Sequence, residues 1–210
     1  LYRLTGVTAP SRTTSYAYDP SGNRLTMTRG TATNYAYDRA DRISTAGTTS
    51  YTVNANGNLT ARGSDSFAYD QANRLKQAIV GSATTTYAWD GEGKRASATT
   101  GSNTTRWVYD ASRGLPVLLE DGTRKYVWGL GLAYAVEGSN LDVYHADGLG
   151  SMRGITDGAG AVTQLYQTDE FGVPSASAGT RAQPFQYTGE PRDGETGLLY
   201  LIPIMSSPAV

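Results

Sequence analysis

Aromatic and small residues alternate at regular intervals through the first half of the chain. The string Tyr-Ala-Tyr-Asp at 16–19 returns at 35–38, and variants of it start at positions 51, 67, 87 and 107. Side chains on a strand point alternately to its two faces, so the two rings of each copy share one face. The pattern therefore predicts a series of short strands, each with an aromatic face.

Residues that favour a turn follow each aromatic pair. Asp19, Pro20 and Gly22 occupy the first, second and fourth positions of a type I turn, where those residue types are preferred. A second short strand follows, such as 24–26, and then a return rich in Gly, Ser and Thr. The repeated unit is therefore predicted to be an antiparallel hairpin.

A hairpin of this length cannot bury an aromatic face alone, whereas stacked neighbours can. The prediction is an all-β fold of repetitive antiparallel β-hairpins stacked into a curved or spiralling sheet, with little or no helix. Eight rings should be more than half buried: Tyr16, Tyr18, Tyr35, Tyr37, Tyr69, Tyr87, Trp89 and Tyr109. The other predicted structural positions of the repeat are Asp19, Gly22, Asp38, Asp70, Asp90, Trp107 and Asp110.

The composition supports this fold and excludes several functions. The 210 residues include 25 Gly and 15 Tyr, which favour turns and strands respectively. A net charge of −1 without a basic run argues against nucleic-acid binding, and the absence of Cys excludes disulfides and thiolate zinc sites. No apolar run approaches the ~20 residues of a membrane span. Because the chain begins at Leu1, we expect it to be part of a longer protein.

The simple repeat fades from about residue 126, and a different set of motifs takes its place. Short turn-like strings with Asp and Gly recur, including a Thr-Asp pair at 156–157, Phe-Gly-x-Pro at 171–174 and Glu-Thr-Gly-Leu at 195–198. Pro174 is predicted to end a strand, since proline cannot continue an interior ladder. The positions of interest are Tyr144, Asp147, Leu149, Gly150, Ser151, Arg153, Asp157, Phe171, Gly172, Pro174, Gly189, Glu195 and Gly197.

These motifs carry a resemblance to a known family. The unit Tyr-x-Tyr-Asp-x-x-Gly-x-Arg-Leu resembles the YD repeat of bacterial RHS proteins and animal teneurins, and the later motifs resemble the RHS repeat-associated core. The resemblance implies three segments: YD repeats over 1–125, a core-like segment over 126–201 and a divergent tail over 202–210. After Leu201 the family pattern stops, and this tail is predicted to pair poorly.

The resemblance also implies a function and partners. RHS proteins are polymorphic-toxin or toxin-complex components whose repeats form a hollow β-shell around a variable C-terminal toxin domain. The implied role is a wall segment of such a shell, with the parent's own toxin domain or a secretion-system component as partner. The implied location is secreted or at the bacterial cell surface. No nucleic acid, membrane span or cofactor is expected.

Two other functions remain open at this point. Exposed rings on the repeats would suit a module that binds glycans on a cell surface. A self-cleaving core would need a C-terminal Asp-Pro-x-Gly segment, which does not follow the core motif. His145 near Asp147, and the carboxylate pair Asp169 and Glu170, are possible acid–base groups, but no nucleophile or metal-ligand pattern accompanies them. We therefore predict no catalytic, cofactor or metal site.

Overall fold

The computed structural model describes residues 2–9, 12–112, 116–201 and 204–206. Antiparallel strands dominate, and a single turn of 3-10 helix at Tyr187–Gly189 is the one helical element in those ranges. The predicted all-β fold is confirmed. The chain divides into two compact units, residues 1–68 and 69–209, which are described separately.

The first unit is a run of short strands that pair with their neighbours in chain order. Every pair from β1–β2 to β7–β8 is antiparallel. The last strand ends one residue past the division between the units. The strands are β1 (Gly6–Ala9), β2 (Arg12–Tyr18), β3 (Arg24–Arg29), β4 (Thr31–Tyr37), β5 (Ile43–Ala46), β6 (Thr49–Val53), β7 (Leu59–Arg62) and β8 (Asp65–Tyr69).

The second unit begins with four more strands of the same kind. They pair in chain order and antiparallel. They are β9 (Leu75–Val80), β10 (Ala83–Trp89), β11 (Arg95–Thr100) and β12 (Asn103–Arg106).

An eight-stranded antiparallel sheet follows, again in chain order. Its strands are β13 (Val108–Asp110), β14 (Val117–Glu120), β15 (Lys125–Trp128), β16 (Leu132–Glu137), β17 (Asn140–Ala146), β18 (Met152–Thr156), β19 (Val162–Thr168) and β20 (Pro174–Gly179). Pro174 starts the edge strand β20 and pairs with Thr168, so the prediction that it ends a strand is wrong. The first residue of an edge strand is a position that proline tolerates, because its missing N–H removes no interior ladder bond.

A short hairpin near the end of the chain corrects a second prediction. Leu199–Leu201 (β21) pairs antiparallel with Ile204–Ser206 (β22). Residues 204–206 therefore pair in register, contrary to the predicted poorly paired tail. The remaining tail residues, 202–203 and 207–210, lie outside the described ranges. The division at 125 and 201 was drawn from motifs and stays a prediction.

The core of the second unit lies on one face of the eight-stranded sheet. Nine hydrophobic side chains from six strands and the segment after β20 form one buried cluster: Leu118, Tyr126, Leu132, Ala135, Tyr144, Met152, Ile155, Tyr166 and Phe185. The segment after β20 lies against this face and contributes Phe185, which is 2% exposed. It covers the sheet without adding a strand to it.

Candidate functional site

The Asp that follows the aromatic pair forms the same hydrogen-bonded turn in several of the repeats. In the turn after β4, the Asp38 N–H donates to Arg42 O at 2.8 Å, and the Asp41 N–H donates back to Asp38 O at 3.1 Å. The Asp38 Oδ1 also accepts the N–H groups of Ala40 and Arg42. One carboxylate oxygen thus satisfies two backbone donors that the turn leaves unpaired.

The turn recurs well beyond the visible repeat. Backbone bonds of the same pattern begin at Asp19, Asp38, Asn54, Asp70, Asp90, Asp147, Asp157 and Asp169. Asn54 keeps the geometry with an amide oxygen, which accepts the N–H groups of Asn56 and Asn58. The last three turns belong to the core-like segment, where the sequence analysis did not recognise them as the repeat turn. The hairpin architecture therefore continues through that segment.

The second carboxylate oxygen holds a basic side chain in several of these turns. Asp38 Oδ2 lies 2.6 Å from Arg42 Nη2, and Asp70 Oδ2 lies 2.7 Å from Arg74 Nη2. Hydrogen bonds from the Arg42 side chain and from backbone N–H groups lower the pKa of Asp38 to about 2. Burial acts to raise the pKa of Asp70, but the bonds from Arg74 outweigh it and lower that pKa. Both carboxylates are therefore held in the ionised form.

The second ring of several repeats joins its hairpin to an earlier part of the chain. The Tyr37 hydroxyl donates to Arg24 O at 3.1 Å, and the Trp89 Nε1–H donates to Leu75 O at 2.8 Å. Trp128 makes the equivalent bond to Leu118 O. Each acceptor lies 10–14 residues earlier in the sequence. These rings therefore connect neighbouring hairpins as well as filling space.

The predicted ring positions are not exposed in the structure. Tyr16 and Tyr87 are buried, at 5% and 7% exposure, and the other six rings are partly buried. Burial raises the pKa of Tyr87 and of Tyr109 above the ordinary tyrosine range. A row of solvent-facing rings, which glycan binding would need, is not formed by these eight side chains.

Residues 180–198, which we call the strap, are held on the eight-stranded sheet by a buried polar network. Asp142, which is 1% exposed, accepts from Arg181 Nη2 at 2.5 Å and from Gln183 Nε2 at 2.9 Å. The Gln183 Oε1 accepts the Tyr144 hydroxyl at 2.7 Å, and the Gln183 N–H donates to the Tyr166 oxygen. Nearly every polar group of this network is satisfied, which is the condition for burying it without a large penalty.

Some of the core motif residues lie where the strap crosses the start of β18. The Thr188 N–H donates to the Ser151 Oγ at 3.0 Å, and the Met152 N–H donates to Gln186 O at 2.7 Å. A Cβ on Gly172, whose φ is +84°, would lie 2.5 Å from the Tyr187 ring. Ser151 and Gly172 therefore leave the space and the hydrogen-bond partner that the strap needs. Their predicted importance as core-motif positions stays a prediction, now with a physical reason.

A buried ion pair fixes the strap to the first strands of the second unit. Arg95 Nη1 lies 2.7 Å from Asp193 Oδ2, and the Arg95 guanidinium stacks 3.8 Å from the Trp107 ring centroid. Tyr200 completes the group, since its ring lies 4.6 Å from the guanidinium and its hydroxyl accepts the Arg95 N–H. Arg95 was not among the predicted residues, because a single Arg in a repeat gives no signal for a partner 98 residues away.

The groups considered for chemistry are placed apart from one another or serve the turns. His145 is exposed and its Nε2 lies 3.0 Å from the Thr156 hydroxyl, while Asp147 holds its own turn and pairs with Arg153. The Asp169 carboxylate accepts the N–H groups of Phe171 and Val173 in the turn before β20, and Glu195 is exposed. In the part of the chain that the structure describes, no three His, Cys, Asp or Glu side chains cluster as a metal site would require. No helix in the same ranges has the length and apolar character to cross a membrane.

Repeated Asp-turn hairpins, closed by a strap that lies on the last sheet, define a segment of a YD-repeat shell wall. The sequence matches the Teneurin YD-shell family over residues 2–201, and the chain belongs to that family.

Curated relatives agree with this assignment. The chain is 29% identical over 206 residues to the tRNA3(Ser)-specific nuclease WapA of Bacillus spizizenii and 28% identical over 205 residues to the tRNA nuclease WapA of Bacillus subtilis. Each alignment covers 89% of this chain and 9% of the relative. The chain therefore spans about a tenth of the length of these two proteins.

Solved structures show the same fold. A Photorhabdus luminescens Tc holotoxin pore superposes with a TM-score of 0.52 and 16% identity, covering 93% of this chain and 15% of that one. The TcdB2–TccC3 complex gives a TM-score of 0.52 and 14% identity, covering 96% of this chain and 16% of that one. The chain is a structural segment of an RHS-type shell.

Proposed function

We propose that this chain is part of the wall of a shell that encloses a C-terminal toxin domain in a longer bacterial parent protein. The observation that carries the proposal is the uniform hairpin turn. It begins at Asp19 and is still present at Asp169, so the segment is a series of antiparallel hairpins built by repetition, with the Asp side chains used in the turns. The two curated relatives are named nucleases, and this chain matches a small part of each.

The segment itself catalyses nothing in this proposal. Its acidic side chains at turns accept backbone N–H groups, and His145 is exposed on a strand, with its Nε2 3.0 Å from the Thr156 hydroxyl of the neighbouring strand. Toxic activity would belong to the parent's C-terminal domain. The His145→Ala variant of the parent should therefore keep full toxicity and normal processing. A loss of either would contradict the structural role.

The proposed location and partner follow from the same role. A shell that carries a toxin acts outside the cell that makes it, so the parent is secreted or held at the cell surface. Its partners are its own C-terminal domain and the component that exports or delivers it. Sequencing the gene beyond the codon for Val210 tests this directly. A variable C-terminal domain encoded downstream supports the proposal, and a genuine stop codon contradicts it.

Protection from protease tests enclosure itself. In the parent, limited proteolysis should leave the C-terminal domain intact while the wall is intact. The Asp193→Asn variant, which weakens the strap's ion pair with Arg95, should expose the domain to cleavage. The matched control is Arg74→Met, which breaks a partly exposed pair in a repeat turn and should leave protection unchanged. Equal cleavage of the domain in the native parent and in isolation would overturn the proposal.

A further inference from the structure

A cavity of about 470 Å³ lies between the strap and the eight-stranded sheet, and the shell role does not account for it. Four aromatic residues, Tyr109, Trp128, Phe185 and Tyr200, line it, and Glu190 is also among the lining residues. Its size falls within the range of pockets that hold small ligands or a long side chain. The cavity is partly open to solvent, so a ligand could enter it.

Glu190 is the one Asp, Glu, Lys or Arg among the residues that line this cavity. Burial raises the pKa of its carboxyl, and no charged neighbour contributes to the shift. Within the described ranges its carboxylate has neither a hydrogen bond nor an ion pair. Arg192, two residues from Glu190 in the sequence, donates its Nε to Gly197 O at 3.2 Å.

Aromatic faces and one carboxylate select for a particular ligand chemistry. The negative face of an aromatic ring attracts a cation, and the attraction grows when water is excluded. A metal ion would need several oxygen ligands, and Glu190 is the one carboxylate residue among those that line the cavity. An anion would be repelled by the carboxylate, and a neutral apolar ligand would leave it unpaired.

We propose that this cavity is a binding site for an organic monocation, an alkylammonium or guanidinium group, whose charge is balanced by Glu190 and whose carbon atoms pack on the surrounding rings. The cation has two possible sources, a free small molecule or a Lys or Arg side chain of a peptide segment. The site is independent of the proposed enclosure of a toxin, since it is formed by residues 109–200 alone.

Calorimetry on the intact chain separates charge from shape. Choline and its neutral isostere 3,3-dimethyl-1-butanol have the same bulk, so a cation site should bind choline about tenfold more tightly. Acetyl-arginine amide, titrated in parallel, distinguishes the sources. Tighter binding of the arginine derivative favours a peptide side chain, and tighter binding of choline favours a free ligand.

Two variants locate the charge. Glu190→Gln should abolish the preference for choline over its isostere. Glu195→Gln is the matched control, because Glu195 is an exposed carboxylate five residues away outside this cavity, and it should leave the preference unchanged. Equal binding of choline and the isostere by the unmodified chain overturns the proposal, as does failure of every cation to bind at millimolar concentration. That comparison decides the question even if Glu190→Gln does not fold.

Discussion

Arg95, the first residue of β11, and Asp193 of the strap form an ion pair 2.7 Å long in which each side chain is 3% exposed. The pair lies within a group of three aromatic rings, Tyr87, Trp107 and Tyr200. It joins residues 98 positions apart, whereas the turn bonds of the repeats join residues two to four apart. The stability of the strap therefore depends strongly on this contact.

Removing the charge of one partner of this ion pair should strongly lower the free energy of unfolding. Arg95→Met or Asp193→Asn leaves the other partner buried without its counter-charge, so each should lower the free energy of unfolding by about 3–5 kcal/mol. The double variant should cost less than the sum of the two, because no lone charge remains. Urea unfolding followed by tryptophan fluorescence measures all three. Arg74→Met provides the control and should cost less than about 1 kcal/mol. Additive single effects would show that the pair is not coupled.

The turn at Asp38 should make stability depend on pH at the acidic end. Because the folded-state pKa is lowered from 3.8 to about 2, its contribution is present above pH 3.8 and is lost as the pH falls through about 2. The Asp38→Asn variant should lose less stability than the unmodified chain over that interval. Asn54 shows that an amide oxygen can hold the same turn, so the variant should fold.

The cause of that shift has its own control. Arg42→Gln removes the side-chain hydrogen bond that contributes most to lowering the pKa of Asp38. The variant should therefore lose less stability than the unmodified chain between pH 3.8 and about pH 2, although Asp38 keeps its carboxylate. Urea midpoints measured from neutral pH down to about pH 2 provide the comparison. An identical pH profile for all three proteins would contradict the assigned cause.

Gly172 should be far less tolerant of alanine than a glycine with the same backbone conformation elsewhere. Gly160 has φ +86° and open space around it, so Gly160→Ala should cost only the left-handed backbone strain, about 1–2 kcal/mol. Gly172→Ala adds a Cβ 2.5 Å from the Tyr187 ring and should cost about 1–3 kcal/mol more. Thermal unfolding of both variants tests the difference. Adding Tyr187→Ala to Gly172→Ala should relieve the clash and recover part of the lost stability. Equal costs of the alanine substitutions at Gly172 and Gly160 would argue against packing of the strap at Gly172.

The Tyr37 hydroxyl offers a test of the link between hairpins. Tyr37→Phe removes its bond to Arg24 O and should cost about 0.5–1.5 kcal/mol in unfolding free energy. Tyr35→Phe, two residues earlier on the same strand, is the control. In the described ranges the Tyr35 hydroxyl makes no hydrogen bond, so its loss should be close to neutral. Similar effects of the two changes would mean that the Tyr37 bond contributes little.

The repeated hairpins were predictable because their signal is local. An aromatic pair fixes a strand face, and an Asp followed by Gly fixes the turn within four residues, as at Asp19 and Gly22. The same turn at Asp147 escaped notice because the strand before it reads Tyr-His-Ala and lacks the second ring. The turn needs an Asp or Asn at its start and a residue that tolerates positive φ, while the ring pair contributes to packing between hairpins.

The strap was not predictable in this way. Gln183 and Asp142 are polar residues that sequence patterns assign to the surface, yet they are 3% and 1% exposed. Their burial depends on partners about 40 residues away, including Tyr144 and Arg181. A single sequence has no periodic pattern that would predict such a pairing. The cavity beside Glu190 forms where the strap crosses the sheet, so the cavity could not be predicted from the sequence either.

Four ring-to-backbone bonds run from a ring to a residue earlier in the chain. Tyr18 donates to Leu4 O, Tyr37 to Arg24 O, Trp89 to Leu75 O and Trp128 to Leu118 O. In each of these bonds the acceptor precedes the donor in the chain, so it is translated first. During translation these four bonds can form without any residue that is still to be synthesised. Because the loops that they close are short, the loop-closure entropy is small. The contacts of Asp193 and Tyr200 with Arg95 reach back across most of the second unit, so they can form only after those two residues have been translated.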